Sequence, residues 1–324
     1  MLMNTVEREI EDAAAAYGVP EDASRLVVLR EQDVDAVLAA LRGDQVAVVQ
    51  GLDQAQADEF IAAVAAQLGL LDQLAIQTGF ASIRGHRENV GRNFMTVNRR
   101  TDYQFIPAHS EGGYRVGMQM AAFYCHENTT DGGDSVLFNA DSDSPMWERQ
   151  RELVVKVDLG GTRPSRGDIA RAKVMYSIDI LQDVLGADDD IVGERPSFMP
   201  GVRVLTVLTP VRRSYSAILD RNVHVYWDTV ASVDFDSGKE YLRMLVACGL
   251  LKVPPGGVDI AVLDNAHERR VWSSGVCYDA LFKSKLTRRL APGELAIFNN
   301  MTWSHSTSNW TPGSGVRNVV GAFA

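Results

Sequence analysis

A histidine and a glutamate two residues apart could bind one metal ion. They are His109 and Glu111. Residues i and i+2 of a β-strand project from the same face, so one strand end could supply an imidazole and a carboxylate to a single ion. Two histidines and one carboxylate with open positions form the facial triad of non-haem Fe(II) oxygenases. The pair alone is a weak signal, because a surface histidine beside a glutamate gives the same pattern.

The C-terminal segment strengthens this interpretation. A Pro-Gly turn at 292–293 leads into an apolar run over 295–298, and a short loop then ends at His305. Arg317 follows twelve residues later, in a valine-rich stretch, and no other arginine follows His305. A guanidinium among apolar residues is costly unless an anion pairs with it, and its planar fork fits a carboxylate. This arrangement predicts an arginine that binds a carboxylate.

Together these segments resemble the taurine dioxygenase/clavaminate synthase superfamily of Fe(II)- and 2-oxoglutarate-dependent oxygenases. The family holds its metal with a His-x-Asp/Glu pair and a distant histidine, which implies that His109, Glu111 and His305 are the metal ligands and catalytic centre. It implies that Arg317 binds 2-oxoglutarate, with help from Ser135 in a Gly-Gly-Asp-Ser turn. The implied cofactor set is Fe(II), with 2-oxoglutarate and O₂ as co-substrates.

The chain also departs from the family pattern. Position 111 carries glutamate rather than aspartate, which is more like the clavaminate synthase branch than taurine dioxygenase. Ser135 stands where threonine is commoner. Asn299 and Asn300 precede the distal histidine where Asp-Asn is usual. The resemblance covers both ends of the chain and is poor from about 140 to 290, which leaves room for an enlarged cover over the site.

The resemblance implies an oxygenase that couples decarboxylation of 2-oxoglutarate to oxidation of a C–H bond. Hydroxylation is the usual outcome, and desaturation or cyclisation are variants. The expected substrate is a small polar molecule such as an amino acid or a natural-product precursor, and a substrate tethered to a carrier protein stays open. Two alternatives are a jelly-roll metalloenzyme that does not use 2-oxoglutarate, which Arg317 and Ser135 disfavour, and a non-catalytic jelly-roll binding module, which the intact ligand types disfavour.

The composition narrows the class of protein. The chain has 324 residues, a formal net charge of −10, 46% hydrophobic and 23% charged residues, which is typical of a soluble globular protein. An acidic balance disfavours nucleic acid as a partner. No apolar run reaches the roughly 18 residues of a membrane span, so we expect neither a transmembrane helix nor a secretory signal. Three distant cysteines form no disulfide framework, so we expect a cytoplasmic protein of unknown oligomeric state.

The predicted fold is mainly β with flanking helices, as in a distorted jelly roll (double-stranded β-helix). After residue 110, short β-rich runs alternate with Gly, Asp, Asn and Pro, which favours a sandwich, jelly roll or barrel. We predict one domain over 1–324, with an N-terminal segment of helices and a strand over 1–75. The jelly-roll core is predicted over about 100–140 and 200–324.

Periodicity and turn residues predict the individual elements. Helices are expected over 6–17, from Asp33 onward, and over about 55–68, with a buried strand over 45–50 between the last two. The predicted strands of the core are Val116–Cys125, Ser135–Phe138, Arg203–Leu208, Tyr215–Leu219, Val223–Trp227, Leu295–Phe298 and Val316–Phe323.

Two helical insertions are predicted, over about 160–190 and 228–250. The first has apolar residues at roughly helical spacing: Ile169, Val174, Ile178, Leu181 and Leu185. We expect the two insertions to cover the metal site and to set the choice of substrate, as loops on a rigid β scaffold commonly do. A contact between subunits or plain structural filling would account for the same apolar residues.

Overall fold

The computed structural model describes residues 19–84, 87–97, 103, 106–113, 116–176, 178–227, 245–257 and 278–324. The helix predicted over 6–17 and residues 228–244 of the second predicted insertion lie outside these ranges. None of the helices in the described ranges is both long enough and apolar enough to cross a membrane.

The described helices and strands alternate along the chain, with strands predominating. The helices are α1 (Val34–Arg42), α2 (Gln54–Gln67), α3 (Leu71–Arg84), α4 (Arg166–Tyr176) and α5 (Tyr278–Leu281). The strands are β1 (Leu26–Leu29), β2 (Val46–Val49), β3 (Asn89–Val90), β4 (Phe94–Thr96), β5 (Ile106–His109), β6 (Gly112–Gly113), β7 (Val116–Gly117), β8 (Met120–Asn128), β9 (Ser135–Ala140), β10 (Arg151–Asp158), β11 (Asp190–Arg195), β12 (Arg203–Pro210), β13 (Arg213–Ser216), β14 (Arg221–His224), β15 (Phe282–Arg288), β16 (Leu295–Asn299), β17 (Trp303–Thr307) and β18 (Arg317–Phe323).

The first two helices begin at aspartate N-caps, of which Asp33 was predicted from the sequence. The Asp33 carboxylate accepts a hydrogen bond from the backbone N–H of Ala36 at the start of α1. Asp53 and Gln56 form a reciprocal capping box at the start of α2, which satisfies N–H groups that have no partner within a helix. The chain turns at Gly69 with φ +70°, a conformation that glycine adopts without strain. These helices and β2 between them are confirmed.

Two sheets form the body of the molecule. One has seven strands in the order β1-β2-β16-β8-β18-β4-β3, and the other has four in the order β15-β9-β17-β5. Helices α1, α2 and α3 pack against one face of the seven-stranded sheet. Its other face packs against the four-stranded sheet, and the two sheets enclose a buried core between them. Residues of this core include Cys125, Leu137, Leu286, Phe298 and Trp303. The structure is therefore β-rich with helices outside one sheet.

Strand β16 shows why a central strand of this sheet is apolar throughout. Leu295 and Ile297 face the helices, whereas Ala296 and Phe298 face the second sheet. Successive side chains of a strand point to opposite faces, so a strand covered on both sides needs apolar residues at every position. The run over 295–298 was predicted as a strand, and the structure confirms it.

The region between β9 and β13 differs from the prediction. Strands β10, β12 and β11 form a separate three-stranded antiparallel sheet, and α4 covers one of its faces. The first insertion is thus a helix on a small sheet, and the segment 203–210 belongs to this sheet rather than to either large one. Strand β11 escaped prediction because it is a mostly exposed edge strand without apolar alternation.

The predicted apolar positions of this insertion do not form one packed face. Helix α4 ends at Tyr176, so residues after it do not continue its period. Ile178 is fully buried in the core beneath α4, whereas Val174 is 84% exposed and Leu181 is 71% exposed. That the insertion covers the metal site remains a prediction.

Several strand boundaries also differ from the sequence prediction. The predicted strand over 116–125 is two strands, β7 and β8, and the predicted strands at 215–219 and 223–227 are the shorter hairpin β13–β14. Asp220 closes that hairpin with φ +52°. Strand β15 was not predicted, although its buried residues Phe282, Ser284 and Leu286 alternate with lysines at 283 and 285.

Candidate metal centre

The four-stranded sheet brings the predicted ligand residues together. Strand β5 ends at His109, which lies opposite His305 on the neighbouring antiparallel strand β17. Their imidazole rings are 4.3 Å apart between centroids. The chain leaves β5 through Glu111 and turns at Gly112, where φ is +104°. Residues 196 positions apart in sequence therefore meet through one strand pairing.

The three side chains converge on one carboxylate oxygen. The distance from Glu111 Oε1 is 3.8 Å to His109 Nε2 and 3.6 Å to His305 Nε2. All three potential ligand atoms lie within 4.8 Å of one another. In the described part of the chain this is the one cluster of three or more His, Cys, Asp or Glu residues that could hold a metal ion.

The protonation states at neutral pH suit metal binding. Burial acts to raise the pKa of Glu111, but the favourable interactions of its carboxylate with the His109 and His305 side chains outweigh it and hold that pKa well below its usual range. Burial, with repulsion from His109, lowers the pKa of His305 to about 4 although Glu111 opposes the shift. The carboxylate is therefore ionised and the His305 imidazole neutral, which are the forms that ligate metals.

Aromatic side chains fix the orientation of the His305 ring. Its centroid lies 4.8 Å from that of Phe123 and 5.9 Å from that of Phe298. Its Nδ1 atom is buried without a hydrogen-bond partner, whereas metal-ligating histidines usually donate their second N–H to an acceptor. Packing rather than a hydrogen bond thus directs Nε2 of His305 toward Glu111.

Asn300 fixes the main chain of Glu111, a role that the sequence analysis missed. Its fully buried carboxamide accepts a hydrogen bond from the Glu111 N–H (2.8 Å) and donates to the Glu111 carbonyl (2.9 Å) and the Met118 carbonyl (2.8 Å). The only sequence signal was its position shortly before His305. Asn300 therefore couples the turn that carries Glu111 to the loop that precedes β17.

Asp44 anchors the start of β17 to the N-terminal helical unit. Its carboxylate accepts hydrogen bonds from the Thr302 hydroxyl and from the Asn139 amide, and its carbonyl accepts one from the Trp303 indole N–H. Asp44 adopts φ +56° in the loop after α1, a conformation that Asp tolerates better than most residues. The N-terminal unit thereby helps to position the strand that carries His305.

The structure brings Arg317 to the predicted Gly-Gly turn. Its Nε donates to the carbonyl of Gly133 (3.2 Å), and its guanidinium carbon lies 5.8 Å from the Trp310 ring centroid. No carboxylate of the described residues forms an ion pair with this guanidinium. Burial lowers the pKa of Arg317 to about 10, so the side chain stays charged at neutral pH. A part-buried cation of this kind is stabilised by an anionic partner.

Ser135 lies on the strand next to that of His305. It is the first residue of β9 and lies opposite Thr307, two residues beyond His305 on β17. The turn that contains Gly133 thus connects Arg317 to the sheet that carries the three converging side chains. That the Ser135 hydroxyl contacts a co-substrate remains a prediction.

The remaining described histidines lie outside this cluster. The His224 ring stacks on Trp147 at 5.0 Å, and its Nδ1 contacts the Ser142 carbonyl. The Nε2 of His126 is buried, and its ring packs against Tyr124. The other two histidines, at positions 86 and 267, lie outside the described residues.

Comparisons with known proteins give matches in three-dimensional structure alone. No family model and no curated protein matches the sequence. One similar structure is PvcB from Pseudomonas aeruginosa, with 10% identity, a TM-score of 0.43, and coverage of 92% of this chain and 84% of that one. A second PvcB structure, described as an Fe, alpha-ketoglutarate dependent oxygenase from an isonitrile synthetic pathway, matches with 9% identity, a TM-score of 0.42 and the same coverage.

A third similar structure is AAD-2 in complex with Mn(II) and N-oxalylglycine. It shows 11% identity and a TM-score of 0.42, and the match covers 95% of this chain and 96% of that one. Identities and TM-scores this low carry no functional conclusion for this chain.

Proposed function

We propose that this protein is an Fe(II)- and 2-oxoglutarate-dependent oxygenase built on a distorted jelly roll. The observation that carries the proposal is the convergence of His109, Glu111 and His305 on a common point. Two imidazoles and one carboxylate are the donor set of the facial triad, which leaves positions open for small ligands. The guanidinium of Arg317 is part-buried and has no ion-pair partner among the described residues, which supports the use of 2-oxoglutarate.

The three converging residues would hold Fe(II) through both Nε2 atoms and the Glu111 carboxylate. With 2-oxoglutarate and O₂, the metal supplies the oxidation of a C–H bond, while the co-substrate becomes succinate and CO₂. The protein orients the ligands: Asn300 fixes the Glu111 backbone, and Phe123 with Phe298 fixes the His305 ring.

Arg317 would bind the distal carboxylate of 2-oxoglutarate. Its planar fork can make a bidentate, charge-assisted contact, and Gly133 already fixes its Nε. We assign Ser135 a supporting hydroxyl contact to the same co-substrate, because β9 continues directly from the turn that Arg317 contacts. The formal net charge of −10 disfavours the polyanionic backbone of a nucleic acid, so the substrate we propose is a small molecule. An amino acid, a natural-product precursor or a carrier-tethered molecule fits this proposal.

Uncoupled turnover tests the proposal without knowledge of the substrate. Purified protein with Fe(II), ascorbate and 2-oxoglutarate is expected to release succinate slowly, and His109→Ala is expected to bind no iron and release none. Arg317→Ala is expected to keep the metal but to bind 2-oxoglutarate more weakly by on the order of 2–5 kcal/mol, the cost of breaking a buried charged pair.

His224→Ala is the matched control, because this histidine is also part-buried in a strand but lies outside the cluster. It is expected to retain iron and succinate release. Iron binding without any succinate would favour a metalloenzyme that does not use 2-oxoglutarate. No metal bound by the wild-type protein would contradict the proposal and favour a non-catalytic binding module.

A further inference from the structure

Arg87 lies at the edge of the candidate metal centre, and the proposed function gives it no role. Its Nη2 is 3.7 Å from Glu111 Oε1. We infer that Arg87 is an anion-binding residue that recognises a carboxylate of the organic substrate beside the metal. The inference rests on the proposed function and adds a chemical class of substrate to it.

Within the described part of the chain, the guanidinium of Arg87 has few hydrogen-bond partners. Nη1 donates to the thioether sulfur of Met95 at 3.7 Å, a weak acceptor, and the distance from Nη2 to Glu111 is too long for a hydrogen bond. An arginine carries five N–H donors, and only 20% of this side chain is exposed. A part-buried cation with so few acceptors is costly, so a ligand with acceptor oxygens would stabilise it.

The surroundings of Arg87 are apolar on one side. Its guanidinium carbon lies 5.5 Å from the ring centroid of Phe323, in cation–π range. Phe323 packs edge-on against Phe123, which in turn contacts the His305 ring. This aromatic contact leaves N–H groups at the guanidinium edge for an anion, and the low local dielectric strengthens a charged pair there.

A charge inventory of the proposed complex also favours an anionic substrate. The dianion of 2-oxoglutarate and the Glu111 carboxylate together balance a divalent metal and the guanidinium of Arg317. Asp134, the acidic residue near Arg317, already pairs with Arg289 at 3.5 Å. Among the described residues, no carboxylate other than Glu111 pairs with Arg87, so a monoanionic group on the substrate would neutralise its charge.

The geometry places such an anion close to the reacting centre. Because Arg87 contacts the side chain of a proposed ligand, a carboxylate bound at its free edge would hold the adjoining carbon atoms beside the metal. The fixed distance between the anion and the metal would then select which C–H bond is oxidised.

Paramagnetic relaxation tests the inference without the natural substrate. The protein is loaded with Mn(II) and saturated with N-oxalylglycine, and propionate or its neutral analogue propionamide is added as the probe. Mn(II) relaxes only probe protons that bind near it. Propionate is expected to be relaxed about tenfold more strongly than propionamide, as a charge-assisted contact predicts.

In Arg87→Gln, the relaxation of propionate protons is expected to fall to that of propionamide protons. Arg87→Lys is expected to restore part of the difference between the two probes. Arg92→Gln is the matched control, since Arg92 is exposed on the same segment, and it is expected to behave as wild type. The inference also requires that Arg87→Gln keep its affinity for Mn(II) and N-oxalylglycine.

An equal response to both probes in the wild type, or a preference for propionate that survives Arg87→Gln, would overturn the inference. A loss of Mn(II) affinity in Arg87→Gln would also overturn it, because Arg87 would then act by positioning Glu111. Each of these three results would leave the proposed function intact. Failure of the wild-type protein to bind Mn(II) and N-oxalylglycine would instead contradict the proposed function.

Discussion

Asn300 illustrates how a residue that need not touch a metal can determine whether the metal binds. Glu111 lies on a turn rather than within a strand, so the sheet hydrogen bonds do not fix it. Asn300 compensates by pairing with both the N–H and the carbonyl of Glu111. Supporting residues of this kind commonly matter for metal affinity nearly as much as the ligands do.

We expect Asn300→Asp to weaken metal binding about 10- to 100-fold, the range found for residues that support a metal ligand. The new carboxylate oxygen would face the carbonyls of Glu111 and Met118, to which the amide donates in the native protein. These acceptors would repel one another and displace the Glu111 turn. Calorimetric titration with Mn(II) or Fe(II) measures the effect.

Asn299→Asp is the matched control for this prediction. Asn299 is equally buried and adjacent, but its amide donates to Ser216 rather than to Glu111. Both variants should lose stability because both bury a new charge. Equal metal affinities for the two folded variants would contradict the role assigned to Asn300.

The turn before β9 packs closely against Arg317, a proposed site residue. Gly133 adopts φ +74°, and a Cβ atom built there would lie 2.7 Å from Arg317 Cδ. The turn can therefore contain only glycine at this position if Arg317 is to keep its place. The sequence predicted the turn, but the approach of Arg317 follows from the pairing of β18 with β8.

Gly133→Ala is expected to weaken binding of 2-oxoglutarate about tenfold or more, because the methyl group displaces the carboxylate-binding guanidinium. Gly313→Ala is the control: Gly313 has φ +78°, but no atom lies within 4 Å of its built Cβ. Both variants should lose about 1 kcal/mol of stability from the positive φ. Similar affinities of the two variants for N-oxalylglycine would contradict the prediction.

A buried carboxyl group in strand β10 is expected to make the stability of the protein depend on pH. Glu152 is buried there, neither carboxylate oxygen has a hydrogen-bond partner, and burial raises its pKa to about 8 although Arg212 opposes the shift. Its ordinary value is 4.5. Between these pH values the folded state keeps a proton that the unfolded state has lost. The free energy of unfolding is therefore highest, as far as Glu152 is concerned, below pH 4.5. This contribution of Glu152 to stability is lost as the pH rises through about 8.

Glu152→Gln is expected to remove most of this loss, which is on the order of a few kcal/mol. Unfolding in urea at pH 5 and pH 9 measures the difference between the variant and the wild type. Glu148→Gln, an exposed substitution nearby, is the control and should leave the wild-type pH dependence unchanged. Parallel stability curves for Glu152→Gln and wild type would contradict the prediction.

Elements with strong local signals could be predicted from the sequence. Asp33 marked a helix start, and the apolar run of β16 marked a strand. The three-stranded sheet could not be predicted, because β11 is an edge strand with both faces largely exposed and β10 contains Glu152 and Lys156 on a buried face. Lys156 is neutralised there by Asp189 at 2.7 Å, a partner known only from the fold.

At the scale of the whole molecule, the two large sheets turn distant sequence motifs into one site. The pairing of β5 with β17 brings His109 to His305, and the N-terminal unit supports β17 through Asp44. The ligand set could be proposed from sequence because its spacing resembles a known family. Arg87 could not, because its place beside Glu111 and Phe323 depends on long-range packing that leaves no local pattern.

The most direct test of the central claim is an optical titration of the anaerobic protein with Fe(II) and 2-oxoglutarate. Chelation of iron by a 2-oxo acid gives a visible charge-transfer absorption that neither component gives alone. The account predicts that this band saturates at one iron per chain, persists in His224→Ala and is absent from His305→Ala. A wild-type protein that shows no band, or a His305→Ala variant that shows it undiminished, would contradict the account.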